Sequence, residues 1–136
     1  MTRAIPKDEA LKALKRMLAN GPLTDLPKSR PDQELLFALA AAHFEAGRTY
    51  AEKGVNEVLQ EWLAGASVAF GIDHVTMRRS LVDWQFLVRD KAGAGYQVAP
   101  ARINDAIEDD VRGLEPGTVI AEVQRQRAER KREHAA

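Results

Sequence analysis

The chain has 136 residues, 45% of them hydrophobic, which allows one compact domain with an extension but not two ordinary domains. It contains no cysteine, which excludes disulfides and thiolate metal sites and favours a reducing cytoplasm. The 20 basic and 20 acidic residues cancel and no third of the sequence is strongly basic, so a broad positive surface for nucleic acid is excluded. The start of the chain lacks the apolar stretch of a signal peptide, and no later run could span a bilayer. We therefore expect a cytoplasmic protein without a membrane partner.

In chain order, the first predicted element is an amphipathic helix over residues 8–20. Leu11, Leu14 and Leu18 recur at the i, i+3, i+7 spacing of one helical face, and charged residues occupy the other face. The sequence "NGP" then ends the helix, because glycine adopts the left-handed terminal conformation and proline cannot continue the hydrogen-bond ladder. A short extended piece, residues 23–26, leads into the next element.

The second and third helices are predicted from caps and apolar faces. Ser29 is placed to cap the second helix, Asp32 stands at the capping-box spacing, and Pro31 is tolerated in the first turn. The run "ELLFALAAAHF" is apolar on most of its circumference, so we expect this helix to be the most buried one. The third helix covers residues 51–63, and residues 64–72 form an unusually long apolar loop after it.

A fourth helix and a hairpin follow. Asp73 is predicted to cap the fourth helix, which ends near Trp84. The segments "FLVRD" and "GYQVA" flank "KAGA", a pattern typical of two antiparallel strands joined by a glycine-containing turn. Beyond the hairpin, the apolar residues of "RINDAIEDDVRGL" form one narrow stripe. The last segment starts at Thr118, and from residue 124 onward it has nothing to bury, which indicates a solvated helix or a frayed tail.

Together these elements predict a mainly α-helical fold with a small β-hairpin, namely a winged helix-turn-helix core with added N- and C-terminal helices. We assign residues 1–22 to an N-terminal amphipathic helix and residues 23–100 to the winged-helix-like domain. Residues 101–136 form a C-terminal helical extension with a charged tail. In such a core the last helix is presented to solvent and the hairpin is the wing.

The sequence offers little for catalysis. Its histidines, His43, His74 and His134, do not stand at metal-ligand spacing with one another or with paired carboxylates. The glycines of the hairpin are not followed by a helix N-terminus that could receive a phosphate. We therefore expect no catalytic residue, no metal and no cofactor, and we interpret the chain as a protein other than an enzyme.

The helical period divides the fourth helix into two faces. The residues expected to face the core are His74, Met77, Leu81 and Trp84. The residues expected to face outward are Thr76, Arg79, Ser80 and Asp83. Hydroxyl and guanidinium groups are the ones that reach phosphates and base edges. Two alternatives stay open: Arg79 pairs with Asp83 at the i, i+4 spacing, and Arg78, shielded between two valines, pairs with an acidic neighbour.

The stretches "GRTYAEKGVNEVL" and "DHVTMRRSLVDWQFLVRDKAGAGY" together resemble a bacterial family, the domain of unknown function numbered 2087. The residues that carry the resemblance are Tyr50, Glu52, Val55, Asn56, Asp73, His74, Arg78, Arg79, Leu81, Val82, Asp83, Arg89, Gly95 and Tyr96. The resemblance covers roughly residues 23–98. It implies a winged-helix-like fold and, because some relatives carry an additional helix-turn-helix regulator module, a link to transcription. It implies no particular ligand or reaction.

Our first hypothesis is a DNA-binding transcriptional regulator. The residues expected to contact double-stranded DNA are Thr76, Arg78, Arg79, Ser80, Arg89 and Lys91. The first four belong to the fourth helix, which would approach the major groove, and the last two belong to the wing, which would touch phosphates. The basic residues between positions 125 and 132 would add further phosphate contacts.

The alternative hypothesis is a winged-helix interaction or dimerisation module that binds no DNA. It is based on the neutral charge, on the apolar loop with Val68, Phe70 and Ile72, and on terminal helices whose stripes are too narrow to be fully used in one monomer. A symmetric homodimer through residues 8–18 and 118–123 would bury both stripes.

Overall fold

The computed structural model describes residues 4–21, 23–65, 71–92 and 95–135. Within these ranges the chain is mainly helical and carries one small antiparallel hairpin, as predicted. The elements are α1 Lys7–Met17, α2 Arg30–Ala41, α3 Glu52–Ala64, α4 His74–Asp83, β1 Leu87–Arg89, β2 Tyr96–Val98, α5 Pro100–Ala106, a 3-10 helix Asp109–Val111, and α6 Pro116–Ala135. None of the described helices combines the length and the apolar character needed to cross a membrane.

The helix α2 is the buried centre of the fold. Every residue from Leu35 to Ala41 is buried, as the apolar composition of this segment predicted. The predicted cap is confirmed, because Ser29 Oγ accepts a hydrogen bond of 3.3 Å from the backbone N–H of Asp32. Helices α1, α4 and α5 pack against α2, so the position of α2 along its axis also affects where these three helices lie.

The carboxylate of Asp32 joins α2 to α1. It accepts two hydrogen bonds from the Arg16 guanidinium, at 2.7 and 2.8 Å, in the two-pronged geometry that suits arginine and carboxylate. These hydrogen bonds hold the pKa of Asp32 below its ordinary value, although burial acts in the opposite direction. The capping-box spacing therefore marked the helix start correctly, while the side chain of Asp32 makes a tertiary contact that the spacing did not predict.

The middle of the chain runs in the order helix, helix, helix, strand, strand. Helices α3 and α4 pack together, β1 follows α4 directly, and the hairpin places Arg89 opposite Tyr96. Tyr50, in the connection between α2 and α3, forms an isolated antiparallel bridge with Tyr96. The extended residue that accompanies the hairpin is therefore Tyr50. This order of elements is compatible with the winged-helix arrangement.

Two local predictions are wrong. Asp73 precedes α4, but its side chain makes no capping hydrogen bond, and its carboxylate lies 3.5 Å from His74 Nδ1 instead. The apolar stripe beyond the hairpin is not a single helix, because α5 ends at Ala106 and Ile107 is extended. Ile107 forms a parallel bridge with Ile5 near the start of the chain. Asp73 lies beside His74, and Ile107 pairs with Ile5, so each residue has a partner other than the local helical interaction on which the prediction was based.

Helices α1 and α6 pack against each other within one chain. The buried residues of this contact face are Ala10, Leu14, Leu18, Val119 and Ile120. Both terminal stripes are therefore used inside the monomer, which removes the observation that motivated a dimer through them. From Arg127 to His134 the side chains of α6 are exposed, in agreement with the predicted solvated helix.

The apolar loop before α4 is described only in part. Val68 and Phe70 lie outside the described residues, and so do residues 93–94 of the hairpin turn predicted at residues 91–94. Ile72 is 7% exposed and belongs to the core, so this apolar residue is not available to a partner surface.

Candidate functional site

A cleft of about 360 Å³ lies between α4 and the hairpin. Its lining residues are Glu52, Arg78, Arg79, Val82, Asp83, Arg89 and Tyr96. They come from α3, α4 and both strands, and α3 and β1 both pack against α4. Three guanidinium groups in one concavity suit an anionic ligand, and the two carboxylates limit the net charge of the lining to +1.

Arg78 is committed to the contact between α3 and α4. Its side chain is 14% exposed, and its Nη1 donates a hydrogen bond of 2.6 Å to Asn56 Oδ1. Its Nη2 lies 3.5 Å from the carboxylate of Glu52. This is the pairing with an acidic neighbour that the shielded position of Arg78 suggested as an alternative.

Arg79, the next residue of α4, is exposed and lines the same cleft. Within the described part of the chain it forms no hydrogen bond and no ion pair. Asp83, one turn further along α4, lines the same cleft without pairing with it. The alternative in which Arg79 and Asp83 neutralise each other is therefore not what the structure shows.

The two predicted faces of α4 are confirmed. Met77 and Leu81 are fully buried, and the other two residues of the predicted core stripe are half-buried. Thr76 is exposed and Ser80 is half-buried, and both lie on the outward side with Arg79. The outward face thus presents two hydroxyls and one unpaired guanidinium among the described residues.

The hairpin contributes two further cations. Arg89 is exposed, and its guanidinium carbon lies 5.8 Å from the centre of the Tyr96 ring, within the range of a cation–π contact. Lys91 is exposed just after β1 and makes no hydrogen bond or ion pair with another described residue. Arg89 lines the cleft, whereas Lys91 does not belong to its lining.

Acidic residues interrupt the positive charge around the cleft. Asp73 lies beside His74, and Asp90 follows β1, where its backbone N–H donates a hydrogen bond of 2.9 Å to the Gly95 carbonyl. Asp83 lines the cleft, whereas Asp73 and Asp90 do not belong to its lining. The surface is therefore of mixed charge, and a polyanion would meet local cations on it and not a continuous positive field.

Sequence reasoning did not identify the partners of Arg78. Asn56 precedes Arg78 by 22 residues, and Glu52 lies one turn before Asn56 in α3. The available signal was their appearance, with Arg78, among the residues that carry the family resemblance. The structure shows that these residues form one polar cluster between α3 and α4.

Gly95 has a steric role at the edge of the hairpin. A Cβ at this position would collide with the methyl group of Thr49 in the connection between α2 and α3. Thr49 also accepts a hydrogen bond of 3.0 Å from Gln97 Nε2 in β2. A larger residue at this position would therefore force the Thr49 side chain to move, which accounts for one more residue of the resemblance.

No group of three or more side chains that could hold a metal ion occurs in the described ranges. His43 Nε2 lies 3.6 Å from Glu115, and His74 Nδ1 lies 3.5 Å from Asp73. Each of these histidines thus has a single carboxylate beside it.

Comparison with protein families gives one finding. The model of a family described as an uncharacterized protein conserved in bacteria (DUF2087) matches residues 22–98. This match covers more than half of the chain, so the chain belongs to that family, as the resemblance indicated. It includes every residue that lines the cleft and leaves α1, α5 and α6 outside. Neither curated proteins nor solved structures give a match.

Proposed function

We propose that this member of the DUF2087 family binds double-stranded DNA through α4 and the β1–β2 hairpin and acts as a transcriptional regulator. The proposal interprets α2, α3, α4 and the hairpin as a winged helix-turn-helix. It is supported by the order of the elements, by the packing of α3 on α4, and by the bridge between Tyr50 and Tyr96 that adds an extended residue to the hairpin.

The observation that carries the proposal is the state of Arg79. It is exposed on α4, and no carboxylate of the described residues pairs with it. Its guanidinium therefore keeps five N–H donors for a docked partner, in a planar fork that suits phosphate oxygens and the acceptor edge of guanine. Thr76 and Ser80 add hydroxyls on the same side of the helix.

The other residues proposed to contact DNA have different roles. Arg78 positions α4 on α3 through Asn56 and reaches a bound phosphate with the donors that remain, since it also lines the cleft. Arg89 and Lys91 contact phosphates from the hairpin, where they supply charge without base recognition.

An electrophoretic shift assay with a mixed-sequence duplex at low salt tests the proposal. We expect the wild-type chain to retain the duplex and Arg79→Gln to bind it about tenfold more weakly, because the loss of a hydrogen bond to a charged phosphate costs about 1.5–3 kcal/mol. Lys12→Gln is the matched control, since it removes one exposed positive charge from α1, outside the cleft. The proposal fails if the wild-type chain does not retain the duplex.

A second candidate function, association with a protein or with a second copy without DNA binding, is favoured by one observation. Val88 in β1 is 54% exposed. It lies in a shallow concavity of about 640 Å³ whose apolar lining also includes Val82, Leu87, Ala99 and Ala101. An exposed apolar position on a short strand suits pairing with another chain.

Light scattering tests self-association of this kind. The second candidate predicts a dimer that Val88→Asp converts to a monomer while the fold is retained. A wild-type monomer at high concentration would remove the homodimer from consideration.

A further inference from the structure

Helix α6 changes character along its length. Val119 and Ile120 are buried and Val123 is half-buried, whereas every residue from 127 to 134 is exposed. Residues 124–135 contain five basic and two acidic side chains, a net charge of +3 in a chain whose total is zero. This stretch rises about 18 Å along the helix axis, or about five base-pair steps of 3.4 Å.

The positive charge of this stretch is concentrated on one face. The cations Arg127, Arg130 and Lys131 stand at i, i+3 and i+4, and His134, which the net charge counts as neutral, follows at i+7, so the four side chains lie side by side along the helix. We call these four residues the basic face of α6. Their side chains form no hydrogen bond or ion pair with any residue in the described ranges.

The opposite face of the same stretch is already neutralised. Arg125 Nη1 lies 2.5 Å from Glu129, and its Nη2 lies 2.5 Å from Glu122. The hydrogen bonds from Arg125 hold the pKa of Glu122 below its ordinary value. With Arg132 and Glu133 also on this side, the face carries two basic and three acidic residues. The charges of α6 are therefore sorted by face as well as by position.

We propose that the basic face of α6 is a second interaction surface, distinct from the cleft, and that its partner is the phosphate backbone of a nucleic acid. The inference rests on the DNA binding proposed above and assigns part of the affinity to a helix outside the region matched by the family model.

Phosphate backbone fits this face better than a membrane surface does. Helices that bind anionic membranes carry large apolar residues such as Trp, Phe or Leu beside their basic residues. Between positions 124 and 135 the only apolar side chains are those of alanines. A row of exposed cations without an apolar partner face suits a polyanion that is bound through charge alone.

Two double variants with equal loss of charge test the inference. The first is Arg127→Gln with Lys131→Gln, on the basic face, and the second is Arg125→Gln with Arg132→Gln, on the opposite face. Glutamine preserves helix propensity, and circular dichroism checks that α6 remains helical. Fluorescence anisotropy with a short mixed-sequence duplex over a range of salt concentrations gives log K against log salt for each protein.

We expect the basic-face variant to make the slope shallower by about 1.8, because each lost phosphate contact lowers it by about 0.9. The opposite-face variant should change the slope by about 0.5 or less, because Arg125 is already paired with Glu122 and Glu129 and because Arg132 lies on a face with more acidic than basic residues. Equal slopes for the two variants would overturn the inference, since the effect would then depend on net charge and not on the face.

The same assay separates failure of this inference from failure of the proposed function. Binding that responds to Arg79→Gln and not to the basic-face variant contradicts only the inference. Binding that responds to the basic-face variant and not to Arg79→Gln contradicts only the assignment of the cleft. Retention on vesicles with phosphatidylserine, without retention of the duplex, overturns both and reassigns the basic face to a membrane surface.

Discussion

Arg78 and Arg79 are neighbours in α4 and both line the cleft, yet Arg78 belongs to the contact with α3 and Arg79 to the exposed surface of the helix. Arg78 lies in the contact between α3 and α4, where it donates a hydrogen bond to Asn56 and lies beside the carboxylate of Glu52. Arg79 lies on the outer face of α4 toward the cleft, where no described residue pairs with it. The same side chain thus serves as a structural connection in one region and as an available charge in the other, and burial decides between the two uses.

The same division applies to other cations of the chain. Arg16 joins α1 to α2, and Arg102 joins α5 to α2, each through a carboxylate. Arg89 and Lys91 face solvent from the hairpin. We therefore expect substitutions of the first kind to lower the free energy of unfolding, and substitutions of the second kind to change DNA affinity alone.

The largest stability effect is expected for Arg102→Ala. Arg102 donates to Glu34 at 2.9 Å and to the Trp84 carbonyl at 3.0 Å, and its guanidinium carbon lies 4.2 Å from the centre of the Phe86 ring. Its loss leaves Glu34, which is 17% exposed, without its cation. We expect the free energy of unfolding in urea to fall by about 2–3 kcal/mol.

Lys12→Ala is the control for this measurement, because Lys12 is exposed on α1 and should change stability by about 0.5 kcal/mol or less. If Arg102→Ala were as mild as the control, the side chain would not connect α5 to α2 in solution.

Paired alanine variants test whether Arg78 and Arg79 differ in their contribution to stability. Arg78→Ala removes the hydrogen bond to Asn56 and should lower the free energy of unfolding by about 1–2 kcal/mol. Arg79→Ala should lower it by about 0.5 kcal/mol or less, since no described residue loses a partner. Urea unfolding of both variants gives the answer, and equal losses would show that the two arginines do not differ as described.

A smaller, pH-dependent effect is expected for Asp32→Asn. The pKa of Asp32 is lowered in the folded chain by the hydrogen bonds from Arg16, so the carboxylate stabilises the fold above its ordinary pKa of about 3.9. This stabilisation is lost as the pH falls through the folded pKa. Because Arg16 is 64% exposed, we expect only about 1 kcal/mol at pH 7.

Urea titrations of wild type and Asp32→Asn at pH 7 and in acid test the sign. The difference in unfolding free energy should shrink in acid, and a difference that grew as the pH fell would contradict the lowered pKa.

The smallest effect is expected at the edge of the proposed interface. Lys91 lies outside the cleft lining, so Lys91→Gln should leave stability unchanged and weaken duplex binding by less than Arg79→Gln does. The gel shift assay used for Arg79 measures the affinity of the two variants for the duplex, and urea unfolding measures their stability. A larger loss for Lys91→Gln would place the main contact on the hairpin and not on α4.

The parts of the fold that the sequence predicted are those set by local patterns. The cap at Ser29, the buried run of α2 and the two faces of α4 depend on residues within a few positions of one another. The parts that it did not predict depend on distant partners. Arg102 and Glu34 are 68 residues apart, and no period or motif relates them.

The candidate site shows the same limit. The spacing of α4 identified Arg79 as outward and Arg78 as shielded, and it allowed a pair between Arg79 and Asp83. Whether that pair forms depends on side-chain placement, and only the structure shows that it does not. The cap predicted at Asp73 failed for a related reason, because the carboxylate lies beside His74.

The salt dependence of duplex binding is the most direct test of whether α4 contacts DNA through Arg79. Anisotropy titrations over a range of salt would compare wild type, Arg79→Gln and Lys12→Gln. We predict that log K falls linearly with log salt for wild type, that the slope of Arg79→Gln is shallower by about 0.9, and that Lys12→Gln follows wild type. Binding that is absent at low salt, or slopes that coincide for all three proteins, would contradict the assignment of α4 as a DNA-contacting helix.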